Sequence, residues 1–135
     1  MLVRWLGVDP GERRVGIAVC DPEERIAVPL EVVPGSAAFP AIRSIAAREE
    51  IGGVVVGLPL LLDGSEGSAV RMARKLGARL ERVLGLPVEY EDERLSTAAA
   101  EREPAGGGPR DDIAAALVLQ QFIDRRRRNR PDAQP

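Results

Sequence analysis

The sequence predicts a single α/β domain built on a five-stranded mixed sheet with flanking helices. Three segments of strand type follow one another at the N-terminus, and strands then alternate with helices. The run Gly53–Pro59 is apolar without alternation, which is typical of a strand buried on both faces of a sheet. We expect the strand order 3-2-1-4-5, with strand 2 antiparallel to strand 1.

The first two strands form a predicted hairpin with an acid at its turn. An apolar run from Met1 to Val8, broken only by Arg4, ends at Asp9, and Pro10-Gly11 then supplies a turn. In the second strand, small residues alternate with bulky ones, so one face should admit close packing: Gly16, Ala18 and Cys20. Asp9 would then lie at the carboxyl edge of a central strand, although Asp-Pro-Gly is also a common simple turn.

The remaining elements follow from periodicity and from breakers. A third strand is predicted at Ile26–Val33, and it belongs at a sheet edge because Pro29 removes a ladder donor. Its apolar face would carry Ile26, Val28, Leu30 and Val32. The later elements are a helix from Phe39 to Glu50, a helix from the Asp63–Ser68 region to Gly85, a strand at Val88–Glu93, a short helix after Ser96 or Thr97 that ends at Pro104, and a last helix from Asp111 through Ile123.

The end of the sequence is the one part that we do not assign to the domain. Residues 125–135 begin with four arginines and continue with Pro, Asp and Gln, a composition typical of a disordered basic tail. We therefore predict one folded domain over residues 1–124 and a disordered basic tail over residues 125–135. The arginines could also form a phosphate clamp, and deletion of the tail would distinguish the two.

Composition excludes several classes of chemistry. The 135 residues fit one domain and contain no histidine and one cysteine, so imidazole proton shuttles, intrachain disulfides and cysteine-rich zinc sites are excluded. Cys20 is expected to be a small core residue. The net charge of −2 argues against a domain that coats nucleic acid by bulk positive charge. No apolar run is long enough to cross a bilayer, and we expect a cytoplasmic protein without membrane contact.

Acidic residues are predicted to converge at one edge of the sheet. Asp9 and Glu93 end parallel strands at the side where open α/β sheets place their sites, and Asp111 opens the last helix beside them. Neighbouring carboxylates repel one another unless a cation neutralises them, and oxygen ligands favour Mg²⁺ or Mn²⁺. Two alternatives remain open, in which Asp111 and Asp112 are only helix caps and Glu91–Glu93 is a solvated edge.

The sequence resembles the YqgF/RuvX family of Holliday-junction-resolvase-like proteins, which are also described as pre-16S ribosomal RNA nucleases and have a ribonuclease-H-like fold. The resemblance rests on four blocks in the family's order, spanning nearly the whole chain except the tail: Leu6–Gly11 with Arg14–Val19, Gly57–Pro59 with Asp63–Gly67, Asp92–Thr97, and Asp111–Ala115. Any one of these blocks would be a weak signal, whereas four in order are specific.

The resemblance implies a metal-dependent endonuclease that acts on branched DNA or structured RNA. Asp9, Glu93 and Asp111 would be the catalytic metal ligands, with Arg14, Arg94 and Thr97 as supports or phosphate contacts. Two Mg²⁺ or Mn²⁺ ions about 3.5–4 Å apart would activate water for in-line attack. A four-way junction would require a symmetric dimer, whereas a monomer could cut ribosomal precursor RNA.

Two departures from the family pattern concern the segment after the predicted strand Val88–Glu93. Ser96 replaces the more usual threonine and keeps the hydroxyl, which is a mild change. The segment between Thr97 and Asp111 is shorter than the family's and is rich in glycine where the family has lysine and arginine. If this segment contacts the substrate, its positive charge would have to come from Arg102, Arg110 or the tail arginines.

Two other functions fit parts of the pattern. An actin-like ATPase also has an Asp-x-Gly turn after its first strand, but the chain is short for two lobes around ATP. A non-catalytic nucleic-acid-binding or ribosome-maturation factor could retain the fold. Such a factor would bind nucleic acid even after Asp9, Glu93 and Asp111 are all replaced.

Overall fold

A computed structural model describes residues 2–93 and 111–130 of the chain. Its elements are β1 (Trp5–Pro10), β2 (Arg14–Cys20), β3 (Ala27–Pro34), a short 3-10 helix (Gly35–Ala37), α1 (Ala38–Arg48), β4 (Gly53–Leu58), α2 (Ser68–Leu84), β5 (Val88–Asp92) and α3 (Asp111–Arg128). The predicted short helix after Thr97, and the tail beyond residue 130, lie outside the described residues. No helix within the described ranges is long and apolar enough to span a membrane.

The strands form one sheet in the order β3-β2-β1-β4-β5, which confirms the predicted order. β2 is antiparallel to both β1 and β3, whereas β4 is parallel to both β1 and β5. The carboxyl ends of β1, β4 and β5 therefore meet at one edge of the sheet. This is the edge at which the sequence placed Asp9 and Glu93.

Two apolar layers cover the sheet. On one face, α1 and α2 pack over bulky strand residues such as Leu6, Val8 and Ile17. On the other face α3 packs over small residues, and Trp5 meets Phe122 edge-on with ring centroids 4.9 Å apart. Cys20 is fully buried in this second layer, as predicted, because the small-residue face of β2 lets α3 approach closely.

Strand β3 occupies a sheet edge as predicted, but its apolar face is not buried. Ile26, Val28 and Leu30 are 57%, 47% and 36% exposed, whereas Val33 is buried. The pairing between β2 and β3 shifts between Ile17 and Ala18, so the simple alternation predicted for this strand is interrupted. Three of the four residues assigned to one face are therefore exposed and lie outside the core.

The predicted disordered tail is also wrong where the structure describes it. Helix α3 does not end near Ile123 but continues through the four arginines to Arg128. These arginines reach buried acids: Arg126 Nε lies 2.8 Å from Glu24 Oε1, and Arg125 Nη2 lies 2.6 Å from Glu91 Oε1. The charge run is thus part of the fold up to residue 130, and a domain boundary at residue 124 does not hold.

Candidate active site

The candidate active site begins with Asp9 on the central strand. Asp9 is completely buried near the end of β1 and pairs with Gly16 of β2. On the opposite side, Val8 pairs with Val56, so Gly57 of β4 lies beside the Asp9 position. Two glycines therefore flank the carboxylate on the neighbouring strands, and they leave open space above the sheet on the α3 side.

Glu93 fills the space above Gly57. It follows β5 and is only 3% exposed, and a Cβ atom on Gly57 would lie 2.8 Å from Glu93 Oε1. The carboxylate therefore extends from β5 across β4 toward Asp9. Burial, reinforced by the charge of Asp92, raises the pKa of Glu93 to about 7.

Asp111 fills the space above Gly16. The backbone carbonyl of this first residue of α3 would lie 1.9 Å from a Cβ atom on Gly16. Only glycine allows the helix to start so close to the sheet. The Oδ2 atom of Asp111 lies 3.5 Å from Nε of Arg14, a half-exposed arginine on β2. Arg14 therefore lies beside the start of α3, and its role as a support or phosphate contact stays a prediction.

The structure places Glu93, Asp9 and the start of α3 at Asp111 above neighbouring strands of the sheet. The three carboxylates do not come close enough together to form a complete metal site. Within residues 2–93 and 111–130, no three Asp, Glu or Cys side chains are grouped closely enough to hold a metal ion. The donor chemistry nevertheless fits a hard divalent cation, because every candidate ligand is a carboxylate oxygen. A cation would also favour the ionised form of Glu93, which burial disfavours.

Other predicted residues have mixed outcomes. Arg94 and Thr97 lie outside the described residues, as do Arg102, Arg110 and the shortened loop that precedes Asp111. Asp112 acts locally, since its Oδ1 accepts a hydrogen bond of 2.9 Å from the Ile113 amide. The solvated-edge interpretation of Glu91–Glu93 is wrong for two of its members, because Glu91 and Glu93 are 2% and 3% exposed.

Some residues that shape the site were not predicted from the sequence. Gly57 was part of a family block, but nothing local to it showed that Glu93 would lie on it. Glu91 was considered only as part of a solvated edge, yet it is buried and accepts hydrogen bonds from Arg125 and Gln121, so it belongs to the support of α3. The alternation of apolar and acidic residues in β5 could not separate these two roles.

Comparisons with known proteins agree with this architecture. A family model described as "RuvX: Holliday junction resolvase" matches residues 3–125. A protein of Anaeromyxobacter sp. named "Putative pre-16S rRNA nuclease" is 46% identical, with 92% of this chain and 98% of the relative covered. A relative of the same name from Lactobacillus delbrueckii subsp. bulgaricus is 36% identical, with 93% of this chain and 99% of the relative covered.

Solved structures show the same fold at lower identity. RuvC of Thermus thermophilus in complex with a Holliday junction substrate superposes with a TM-score of 0.58 at 20% identity, covering 94% of this chain and 97% of RuvC. Another T. thermophilus RuvC structure gives a TM-score of 0.55 at 17% identity, covering 91% of this chain and 95% of RuvC. The predicted ribonuclease-H-like architecture is thereby confirmed.

Proposed function

Because this chain belongs to the RuvX (YqgF) family and is a nuclease, we propose that it is a divalent-metal-dependent endonuclease that cuts phosphodiester bonds in structured nucleic acid. Asp9, Glu93 and Asp111 would hold Mg²⁺ or Mn²⁺. The observation that carries this proposal is the row of strand positions Gly16, Asp9 and Gly57, with the Glu93 carboxylate over Gly57 and the backbone of Asp111, the first residue of α3, over Gly16. When bound, two such ions supply an activated water and neutralise the leaving oxygen.

The residues of the chain have distinct tasks in this proposal. Asp9 is fixed by its strand and contributes a carboxylate that hardly moves. Gly16 and Gly57 let the other two acids approach it, and Arg14 orients Asp111 while its exposed side contacts a substrate phosphate. Arg94 and Thr97 are proposed as further phosphate contacts on the basis of the family pattern. Hydrolysis should leave 5′-phosphate and 3′-hydroxyl ends.

Of the two substrate classes, we favour ribosomal precursor RNA. The relatives at 46% and 36% identity carry the name "Putative pre-16S rRNA nuclease", whereas the junction-bound RuvC is only 20% identical. A monomer is sufficient for this substrate, whereas a junction would need a homodimer with two sites at a fixed spacing. RNA processing would place the protein in the cytoplasm.

The test is a cleavage panel with the Asp9→Asn variant. Wild-type protein should cut precursor 16S RNA or a four-way DNA junction in Mg²⁺ or Mn²⁺, and should lose activity in EDTA. Asp9→Asn should abolish cleavage, because it removes the central anionic ligand while keeping the volume. Circular dichroism should show an unchanged fold, and Mn²⁺ binding followed by calorimetry should weaken.

The matched control is Asp112→Asn, which removes a neighbouring acid that is engaged in local capping. This variant should keep most of the activity. If Asp9→Asn cuts as fast as wild type, the site assignment is wrong. If wild type binds RNA but yields no product in either metal, a binding or maturation role without catalysis replaces the proposal.

A further inference from the structure

A groove beside Pro10 and Gly11, on the opposite face of the sheet from Glu93 and Asp111, has features of a ligand site. A cavity of about 540 Å³ lies between the β1–β2 turn, the 3-10 helix and helices α1 and α2. A second cavity of about 400 Å³ adjoins it and shares Pro10, Gly11, Glu12 and Met72. Volumes of roughly 300–1,000 Å³ are typical of small-molecule sites. We call the two cavities together the turn groove.

The turn groove is preformed on the side of the β1–β2 turn. The Gly11 amide donates a hydrogen bond of 2.8 Å to the Arg14 carbonyl, and the Gly35 amide donates one of 2.8 Å to the Arg13 carbonyl. These bonds hold the turn and the start of the 3-10 helix together. Since Pro10 and Gly11 directly follow Asp9, the groove opens at the same end of β1 as the three acids, and a nucleic-acid strand would cross the β1–β2 turn to occupy both.

The lining combines an apolar floor with a cationic rim. Phe39, Met72 and Leu76 contribute to the floor, and Arg79 lies over the Phe39 ring with its Cζ atom 3.9 Å from the ring centroid. Of the charged residues that line the larger cavity, Arg13 and Arg79 are positive and Glu12 is negative. In the described part of the chain, neither arginine forms an ion pair with a carboxylate.

This arrangement matches the chemistry of a nucleotide. Unpaired bases stack on aromatic rings and on arginine guanidinium planes, and phosphates pair with guanidinium groups. Phe39 is only 7% exposed, so its role is to support Arg79, which is itself exposed. The Glu12 carboxylate would repel a phosphate but can accept hydrogen bonds from base amino groups.

We propose that the turn groove binds one unpaired nucleotide of the substrate strand next to the scissile bond, with its base on Arg79 and its phosphate toward Arg13. The inference rests on the proposed nuclease function and adds a requirement for an unpaired nucleotide at the cut. Such a requirement would direct cleavage to branch points and single-stranded leaders. It would also exclude fully paired duplex from productive binding.

Binding and crosslinking test the proposal without cleavage. A short fluorescein-labelled oligouridine RNA carrying one 5-iodouridine is titrated in EDTA and then irradiated. We expect crosslinks in the peptides that contain Phe39 or Met72, and Arg79→Gln should weaken binding roughly tenfold, as expected for one lost stacking contact. Arg79→Lys, which keeps the charge but not the plane, should recover only part of the affinity.

The matched control is Arg82→Gln, an exposed arginine on the same helix outside the groove. It should bind within about twofold of wild type. The proposal that the turn groove binds a nucleotide would be overturned if Arg79→Gln bound RNA as tightly as wild type. Crosslinks found only in other peptides would also overturn it.

The two proposals can fail separately. If Asp9→Asn loses cleavage but the groove peptides do not crosslink, the groove is wrong and the catalytic site stands. If the groove peptides crosslink but Asp9→Asn cuts as fast as wild type, the catalytic site is wrong and the groove stands.

Discussion

Single residues decide whether the three acids can approach one another. A Cβ atom would collide with a neighbouring residue at both Gly16 and Gly57, but the neighbour differs in the two cases. Above Gly16 the obstacle is the Asp111 backbone, which cannot move without shifting α3. Above Gly57 it is the end of the Glu93 side chain, which can rotate away. The second substitution can therefore separate activity from stability.

We predict that Gly57→Ala lowers cleavage strongly with little loss of stability. The new Cβ atom would lie 2.8 Å from Glu93 Oε1, so the carboxylate must turn away from Asp9. A displacement of about 1 Å at a reacting centre can lower the rate roughly 100-fold. The free energy of unfolding should change by less than about 1 kcal/mol. Steady-state cleavage and urea denaturation measure the two effects.

A suitable control for this variant is Gly52→Ala, at a glycine outside the site whose new Cβ atom would meet only Val3 Cγ1, at 3.1 Å. It should retain wild-type activity. Full activity in Gly57→Ala would show that the Glu93 position seen in the structure is irrelevant to catalysis.

The residue scale also shows what the sequence could reveal about the site. Asp9 was identifiable because a strand, an acid and a Pro-Gly turn follow one another within a short window. The position of the Glu93 side chain over Gly57 was not, because the strand order places Glu93 at the same sheet edge but does not show how far its side chain reaches across β4. Arg94 and Thr97 remain predictions, since they lie beyond the described ranges.

At the scale of elements, helix α3 is held by a cluster of arginines around a buried acid. Glu24 is completely buried, has a left-handed backbone with φ of 54°, and accepts a 2.6 Å hydrogen bond from the Val3 amide. Arg126 donates to its carboxylate, Arg127 donates to its carbonyl at 2.9 Å, and Arg130 Nη1 lies 3.4 Å from Oε2. This cluster ties the end of α3 to the β2–β3 turn.

The cluster explains why the tail was misread from sequence. A run of arginines beside Pro, Asp and Gln has the composition of a solvated terminus. Its acidic partner Glu24 stands 102 residues from Arg126, in a turn that gives no local sign of burial. Composition reports local preference, whereas this ion pair is set by tertiary packing.

We predict that Glu24 makes folding depend on pH in the acidic range. Burial acts to raise the pKa of Glu24, but the hydrogen bonds from Arg126 and Val3 and the charges of Arg126 and Arg130 outweigh it and lower the pKa below its ordinary 4.5. The folded state then favours the ionised carboxylate. Its contribution is complete above about pH 4.5 and is lost as pH falls through the lower folded-state pKa.

The measurement is urea denaturation of wild type and Glu24→Gln from neutral to acidic pH. At neutral pH the variant should be less stable by about 2 kcal/mol, and this difference should shrink as the pH falls below about 4.5. Glu23→Gln, at the exposed neighbour, should match wild type within about 0.5 kcal/mol. A difference that is constant across the pH range would rule out an ionised Glu24 in the folded state.

At the scale of the whole molecule, the sheet order was predictable and the distribution of charge was not. Strand types, the buried character of β4 and the chain order of strands and helices are local properties that leave few topologies. The net charge of −2 says little about where positive charge is available. Arg125 forms two short bonds to the buried Glu91 and is committed to the fold, whereas Arg14 makes one longer contact, of 3.5 Å, with the less buried Asp111.

This division predicts which arginines contribute to nucleic-acid binding. Each phosphate neutralised by the protein adds about 0.9 to the slope of log affinity against log salt for duplex DNA. Arg14→Gln should therefore reduce the slope by about 0.9 when a four-way DNA junction is titrated in EDTA over a range of salt concentrations. Arg125→Gln should leave the slope unchanged and instead lower the thermal unfolding midpoint, because Glu91 would lose its bidentate partner. A reduced slope in Arg125→Gln, measured where the variant is fully folded, would mean that the end of α3 contacts the nucleic-acid backbone after all.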